Sequence, residues 1–242
     1  MKNNHILGIL GGLGPASSAY FYNMLIDHTK AGGDNEHIDC YISNAATTPD
    51  RTVYLLDRTK PNPLPRMIEE ATKLKSVGCD VLVLICNTAH YFYDEIVAST
   101  GVHMINMLDE TLKYLHSDGI QRIGLLATDG TVCTKLYQNK AKEYGIECIV
   151  PDKEHQKLVM NLIYGYVKKG IPVPPSLIDP LYDHLTERGA QKAILACTDL
   201  SILKQQCNLG TFFVDALEIL ALQTILFCNK TPIGFEELLN GY

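Results

Sequence analysis

The chain has 242 residues, 46% of them hydrophobic, and a formal charge of −6. That length buries a sizeable core and falls between one large domain and two small ones. The acidic balance, without a Lys/Arg stripe interleaved with aromatics, excludes an electrostatic footprint for nucleic acid, and no apolar run reaches the 18 residues of a membrane span.

The start MKNNHILGIL passes directly into a strand at residues 6–10 and reads as no signal peptide, so the cytoplasm is the expected compartment. The glycine-rich turn GGLGP follows, with Pro15 suited to a first helical turn and Tyr20, Phe21, Met24, Leu25 and His28 at helical spacing behind it. A second strand is expected at 38–42, then TTPDRT carrying Arg51, then a loop at 61–65, PNPLP, read as a plain connector. Met67, Ile68, Ala71 and Leu74 predict a helix that Gly78 ends, and 81–85 is a buried strand running into Cys86. Further strands are predicted at 102–107, 122–127, 146–150, 193–196 and 211–214. Gly145 closes a helix before one of them, and Pro174-Pro175 opens the helical stripe Leu177, Ile178, Leu181, Leu185. Short apolar strands alternating with helices predict an α/β protein with buried parallel sheets.

Two stretches repeat one plan. VLICNTAH at 83–90 and ILACTDLS at 194–201 are each an apolar run ending in Cys with a Thr close behind; LGILGGLG from Leu7 and IGLLATDG from Ile123 match in the same way. Both repeats are offset by nearly the same distance, close to half the chain. This predicts two pseudo-symmetric three-layer α/β domains, each with a four-stranded parallel sheet, facing each other across a cleft. The first domain is expected at 1–108 plus about 216–242 and the second at 109–215, with the helix from Ala216 returning to the first.

Open parallel sheets bind ligands beyond the carboxyl ends of their strands, where Cys86 and Cys197 fall. Asn87, Thr88, Thr198 and Asp199 are N-cap residue types, so each Cys is expected at a helix N-terminus, where the dipole lowers a thiol pKa. Either Cys alone is better read as a small core residue. A matched pair on two halves of one cleft is different. Inverting a stereocentre needs a base on one face and an acid on the other, and two opposed thiols supply both. Cys40, Cys133, Cys148 and Cys228 lie within element patterns and are assigned to packing. The eight cysteines form no close C-x-x-C pair, so neither a disulfide framework nor a metal site is expected. GGLGP suits an anion at a helix N-terminus, and without a P-loop or a cofactor lysine no cofactor is called for.

GILGGLGPASS, CNTAHYFYDEI, MINMLDET, LLATDGTVCTKLYQ and ACTDL, in their order and spacing, resemble the cofactor-independent aspartate/glutamate racemases from about Ile6 to about Leu222. The resemblance implies two similar α/β domains, a homodimer, and a two-base mechanism, independent of pyridoxal phosphate, acting at Cα of a small acidic amino acid. It makes Cys86 and Cys197 the acid/base pair. Asn87, Thr88 and Thr198 then hold the α-amino and α-carboxylate groups, helped by the turn at Gly12 and Leu13 and by the loop from Thr128 to Thr131. Arg51 matches the family's basic residue for the side-chain carboxylate, and Lys168 matches a second. Without the resemblance, Arg51 reads as a solvated loop charge and Lys168-Lys169 as charges at a helix C-terminus. His90 reads as a structural or helix-surface residue, or as a group tuning the first thiol.

The chain departs from the family pattern twice. Cys197-Thr198-Asp199 stands where many members have Cys-Thr-Glu, with Ser201 for the usual Pro, and this bears on the choice between aspartate and glutamate. Asp215-Ala216-Leu217 stands for Asp-Ser/Pro-Thr and bears on packing or rate. The readings left open are a hydantoin racemase, a maleate isomerase, a broader amino-acid racemase, and a ligand-binding relative without turnover.

Overall fold

In a computed structural model, which describes residues 5–207 and 209–236, strands and helices alternate throughout. The first sheet contains β1 (Leu7–Gly11), β2 (Cys40–Asn44), β3 (Val81–Leu84) and β4 (His103–Ile105) in the order β2-β1-β3-β4. The second contains β5 (Arg122–Ala127), β6 (Glu147–Ile149), β7 (Lys192–Ala196) and β8 (Phe213–Asp215) in the order β6-β5-β7-β8. All pairings are parallel. The two sheets therefore repeat one topology, with the two glycine-turn strands and the two cysteine-bearing strands in equivalent central places. Each strand overlaps an apolar run read from the sequence; the central strands β1, β3, β5 and β7, covered on both faces, leave no room for polar alternation, whereas β2 at the sheet edge leaves Tyr41 and Ile42 exposed.

The helices are α1 (Pro15–Asp27), α2 (Arg51–Leu56), α3 (Leu64–Ser76), α4 (Tyr93–Thr100), α5 (Met107–Ser117), α6 (Asp129–Cys133), α7 (Leu136–Glu143), α8 (Lys153–Met160), α9 (Asp179–Glu187), α10 (Thr198–Gln206) and α11 (Ala216–Phe227). Pro15 opens α1 as expected, and Gly78 and Gly145 take positive φ just beyond α3 and α7. The connector expected at 61–65 ends sooner, since Leu64 and Pro65 already form the first turn of α3, where a missing N–H costs nothing. Among the described residues no helix is long and apolar enough to cross a membrane.

Strand parity sorts the core into layers. Leu7, Ile9, Val81 and Val83 of the first sheet, with Ile123, Leu125, Ile194 and Val214 of the second, face one continuous cluster filled by Phe21, Leu112, Tyr137 and Leu220. These four come from α1, α5, α7 and α11, so the inner helical layers of the two sheets merge, and α11 returns to pack on α1 and α5. The opposite faces carry separate clusters. Leu82 and Leu84 lie under Met67 of α3 and Ile96 of α4, while Ala193 and Leu195 lie under Val159, Leu185 and Leu200 of α8, α9 and α10. Each fully buried apolar side chain contributes about 1.5–3 kcal/mol, so the shared central cluster ties the halves together more than any single polar contact does.

All eight cysteines are free thiols. Cys228 is buried and Cys40 and Cys148 are half-buried, but Cys133 is exposed, which corrects its assignment to packing. In the short helix α6, Thr131 turns inward, and a residue two positions later on a helix points away from the same face. Residues 1–4 and 237–242, assigned above to the first domain, lie outside the described residues.

Candidate active site

Beyond the carboxyl ends of β3 and β7 the chain keeps its strand parity for one more side chain. Cys86 continues the Leu82, Leu84 series and Cys197 the Ala193, Leu195 series, so both thiols leave their sheets on the outward face at equivalent positions. Both are buried and both line one pocket between the halves. Leu13, Arg51, Asn87, Thr88, Thr128, Lys168 and Thr198 line it as well; these are positions singled out in the sequence. Asp50, Thr52, Tyr164 and Asp199 complete the wall. Asp50 and Thr52 flank Arg51 in TTPDRT and were within reach of sequence reasoning, whereas Tyr164 sits in a helical stripe with no motif to mark it.

Gly12 and Thr131 stand outside this lining. Gly12 has φ +81° and a Cβ there would lie 2.3 Å from the Ala45 backbone nitrogen, so glycine is required for the turn itself. Its N–H donates to Ser18 Oγ at 2.9 Å. Thr131 stands behind Thr88, 2.9 Å from its hydroxyl.

The halves meet through hydroxyls. Thr52 Oγ1 donates to Thr128 Oγ1 at 3.0 Å, and Thr88 and Thr128 share a bond of 2.9 Å. Tyr137, fully buried in the second half, donates its hydroxyl to Asn87 Oδ1 at 2.6 Å. Burial raises the Tyr137 pKa, so it remains the donor, and Asn87 therefore presents Nδ2. That nitrogen is buried with no partner among the described residues.

Arg51 is no solvated loop charge. It opens α2, whose N-cap Asp50 accepts from Val53 N at 3.0 Å, and its guanidinium is buried. Nη1 donates to the carbonyls of Thr48 and Pro49, and Nη2 to that of Leu13, while Nε is buried without a partner. Three of the five guanidinium N–H groups are thus spent on backbone, and Nε–H is among those left. Burial works against the Arg51 charge, but Cys86 and Asp50 beside it prevail and raise its pKa.

Both lysines reach solvent, but Lys168 rather than Lys169 lines the pocket, its side chain 28% exposed. A π-helical turn, Asn161–Tyr166, follows α8 and delivers Lys168 in the next turn, with Nζ 2.8 Å from Asp199 Oδ2. Burial again opposes the charge, and Asp199 with the two thiols raises the Lys168 pKa.

The expected caps are not formed. Cys197 itself is the N-cap of α10, and Thr198 and Asp199 are its first helical residues. Cys86 precedes a 3-10 turn, Thr88–Phe92, and the Asn87 side chain makes no capping bond. Asn87 is held by Tyr137, Thr88 by Thr128 and Thr131, and Asp199 by Lys168, so tertiary partners outcompete the helix ends. The expectation of a depressed thiol also fails at Cys197. Its Sγ donates to Asp199 Oδ2 at 3.6 Å, and burial followed by that carboxylate pushes its pKa well above the ordinary thiol value, against Lys168 and the Asp199 N–H.

His90 is a buried structural residue. Its Nε2 accepts from Met107 N at 3.2 Å, which leaves the ring proton on Nδ1 to donate to Cys86 O at 2.9 Å. Burial lowers its pKa to about 4. The two departures from the family pattern meet behind the pocket, where Ser201 Oγ donates to Asp215 Oδ1 at 2.8 Å while the same oxygen caps α11. Among the described residues Asp152, His155 and His184 form a group that could hold a metal ion, away from the pocket lining. Their imidazoles are stacked at 3.8 Å with planes 16° apart, so the in-plane lone pairs do not converge, and Arg188 stands 3.4 Å from His184.

The model of the Asp/Glu/Hydantoin racemase family matches residues 10–224. The broad specificity amino-acid racemase RacX of Bacillus subtilis (strain 168) is 28% identical over 228 residues, covering 91% of this chain and 96% of that one. Aspartate racemase of Picrophilus torridus superposes with a TM-score of 0.84 at 28% identity, covering 98% of this chain and 100% of that one. Glutamate racemase of Francisella tularensis subsp. tularensis SCHU S4, solved in complex with D-glutamate, shares the fold with a TM-score of 0.64 at 17% identity, covering 93% and 82%.

Proposed function

The chain belongs to the Asp/Glu/hydantoin racemase family, a family of isomerases, and from that premise we propose that it interconverts L- and D-aspartate, with glutamate as a second substrate. Cys86 and Cys197 move the Cα proton in a two-base reaction that uses neither pyridoxal phosphate nor a metal. The observation that carries this reading is the pair of buried thiols at equivalent strand ends of a duplicated sheet, both lining one pocket. Two unpartnered buried donors, Asn87 Nδ2 and Arg51 Nε, support an anionic guest, since a buried polar group without a partner is costly until a ligand supplies one.

In this reading the α-carboxylate takes Asn87 Nδ2 and the Thr88 and Thr198 side, and the distal carboxylate takes Arg51 Nε with Lys168 nearby. Thr128 completes the polar wall through its bonds to Thr52 and Thr88. Gly12 and Thr131 act from behind, by shaping the turn and holding Thr88. Cytoplasmic location and assembly as a homodimer belong to the proposal and rest on the resemblance.

A second reading, a broader amino-acid racemase, is favoured by one feature. The Arg51 fork is largely occupied by backbone carbonyls and Lys168 is committed to Asp199, so the charge available to a distal carboxylate is reduced. One experiment separates the readings. A panel of single-enantiomer amino acids is incubated with dialysed protein and chelator and resolved by chiral chromatography. Racemisation of aspartate well above that of neutral amino acids is expected. Racemisation of neutral amino acids at equal rate establishes the broader activity, and none with any acid or neutral amino acid overturns both.

A further inference from the structure

We infer that Asp199 sets the resting protonation of the thiol pair: against the pull of Lys168, which it engages itself, it holds Cys197 as the neutral acid and leaves Cys86, beside Arg51, as the base that opens a turnover. This rests on the two-thiol reading above and gives it a direction.

The surroundings of the two sulfurs are unequal although their positions are equivalent. Cys197 is faced by Asp199 from its own helix, Lys168 and Tyr164 from the turns after α8, and Cys86 across the pocket. Lys168 is the cation of that set, and its Nζ is already 2.8 Å from Asp199. A thiolate at Cys197 would have to share Lys168 with a carboxylate whose oxygen lies 3.6 Å away. An S–H there instead finds that oxygen as its acceptor. Cys86 has Arg51 beside it, and the nearest acid on that side, Asp50, spends its oxygens on Val53 N at 3.0 Å and the Tyr164 hydroxyl at 3.2 Å. Arg51 is therefore shared between Cys86 and Asp50, with the first thiol the stronger of the two partners.

Cys86 as thiolate takes the Cα proton, so a C–H bond breaks, an S–H bond forms and the electron pair passes into the substrate carboxylate. Cys197 then delivers its own proton to the opposite face. The enzyme is left with the proton on Cys86 and none on Cys197, and one proton must pass between them through solvent before the same direction repeats. Because the two enantiomers are equal in energy, kcat/KM is the same in both directions, and the bias shows instead as unequal kcat and KM for the two.

The test is alkylation of the substrate-free full chain by iodoacetamide at pH 7.5, read at each cysteine by peptide mass spectrometry. The two residues are 8% and 7% exposed, and the Asp199 variants separate thiolate content from access. Cys86 should react about tenfold faster or more. Asp199→Asn should raise the Cys197 rate about tenfold with the Cys86 rate little changed, and Asp199→Glu should keep the wild-type order. Equal rates in the wild type, or a Cys197 rate indifferent to Asp199→Asn, overturn the assignment. If Asp199→Asn does not fold, the wild-type pH profile decides: Cys197 alkylation should still be rising above pH 9, and a plateau below it contradicts the assignment. Alkylation needs no turnover, so a protein that racemises nothing yet shows this order loses the two-thiol function alone, and an active racemase without the order loses only the direction.

Discussion

Cys86 is anchored by its own carbonyl as much as by its strand. His90, neutral and fixed in one tautomer between Cys86 O and Met107 N, ties the end of β3 to the start of α5. This has a pH signature. The folded pKa of about 4 lies below the unfolded value of 6.5, so below pH 6.5 the unfolded chain binds a proton that the folded one refuses. The stabilisation is therefore complete above pH 6.5, declines as the pH falls, and is fully lost below about 4. At the bottom of that window the loss amounts to about 3 kcal/mol, of which about 2.5 kcal/mol has accrued by pH 4.5. Urea unfolding at pH 7.5 and 4.5 should show that much extra acid sensitivity in the wild type relative to His90→Asn; equal sensitivity in the two would remove His90 from the acid response. At this scale the paired thiols were legible because each closes an apolar run. The Asp199–Lys168 and Asn87–Tyr137 partnerships were not, since each joins side chains 31 and 50 positions apart that only the folded sheet edges bring together.

The contact between α2 and α6 sets how closely the halves approach. A Cβ on Gly130 would lie 2.9 Å from Thr52 Cα, a backbone atom that cannot swing aside. Gly130→Ala gains roughly 0.5–1 kcal/mol of helix propensity, but overpacking against backbone costs about 1–3 kcal/mol, so the clash wins. The variant should unfold at lower urea concentration and lose activity as the Thr52–Thr128 hydrogen bond lengthens; an unchanged or higher midpoint would contradict this packing. Among the elements, every strand announced itself by composition; burial on both faces demands this of the central strands, while β2 is apolar yet largely exposed at its sheet edge. The helix starts after the cysteines fell where expected, at Thr88 and Thr198, but without the side-chain caps. Asn, Thr and Asp favour caps when nothing else competes, and here Tyr137, Thr128 and Lys168 compete. The π-helical turn that delivers Lys168 has no sequence signature and was not foreseen.

For the whole molecule, the duplication in the sequence became two sheets of identical strand order, and the near-equal offsets were enough to read it. The merging of the inner helices into one core was not legible, since apolar stripes on α1, α5, α7 and α11 do not say which sheet they cover. That merger holds the two strand ends, and so the two thiols, in fixed relation. Opposed thiols must leave a directional isotope pattern, and a short incubation of one aspartate enantiomer in heavy water, with Cα deuterium measured separately in each enantiomer, tests this most directly. The account predicts that the newly formed enantiomer carries deuterium from the first turnovers while the recovered starting enantiomer stays largely protiated; deuterium appearing equally in both would mean one base serving both faces, and would contradict it.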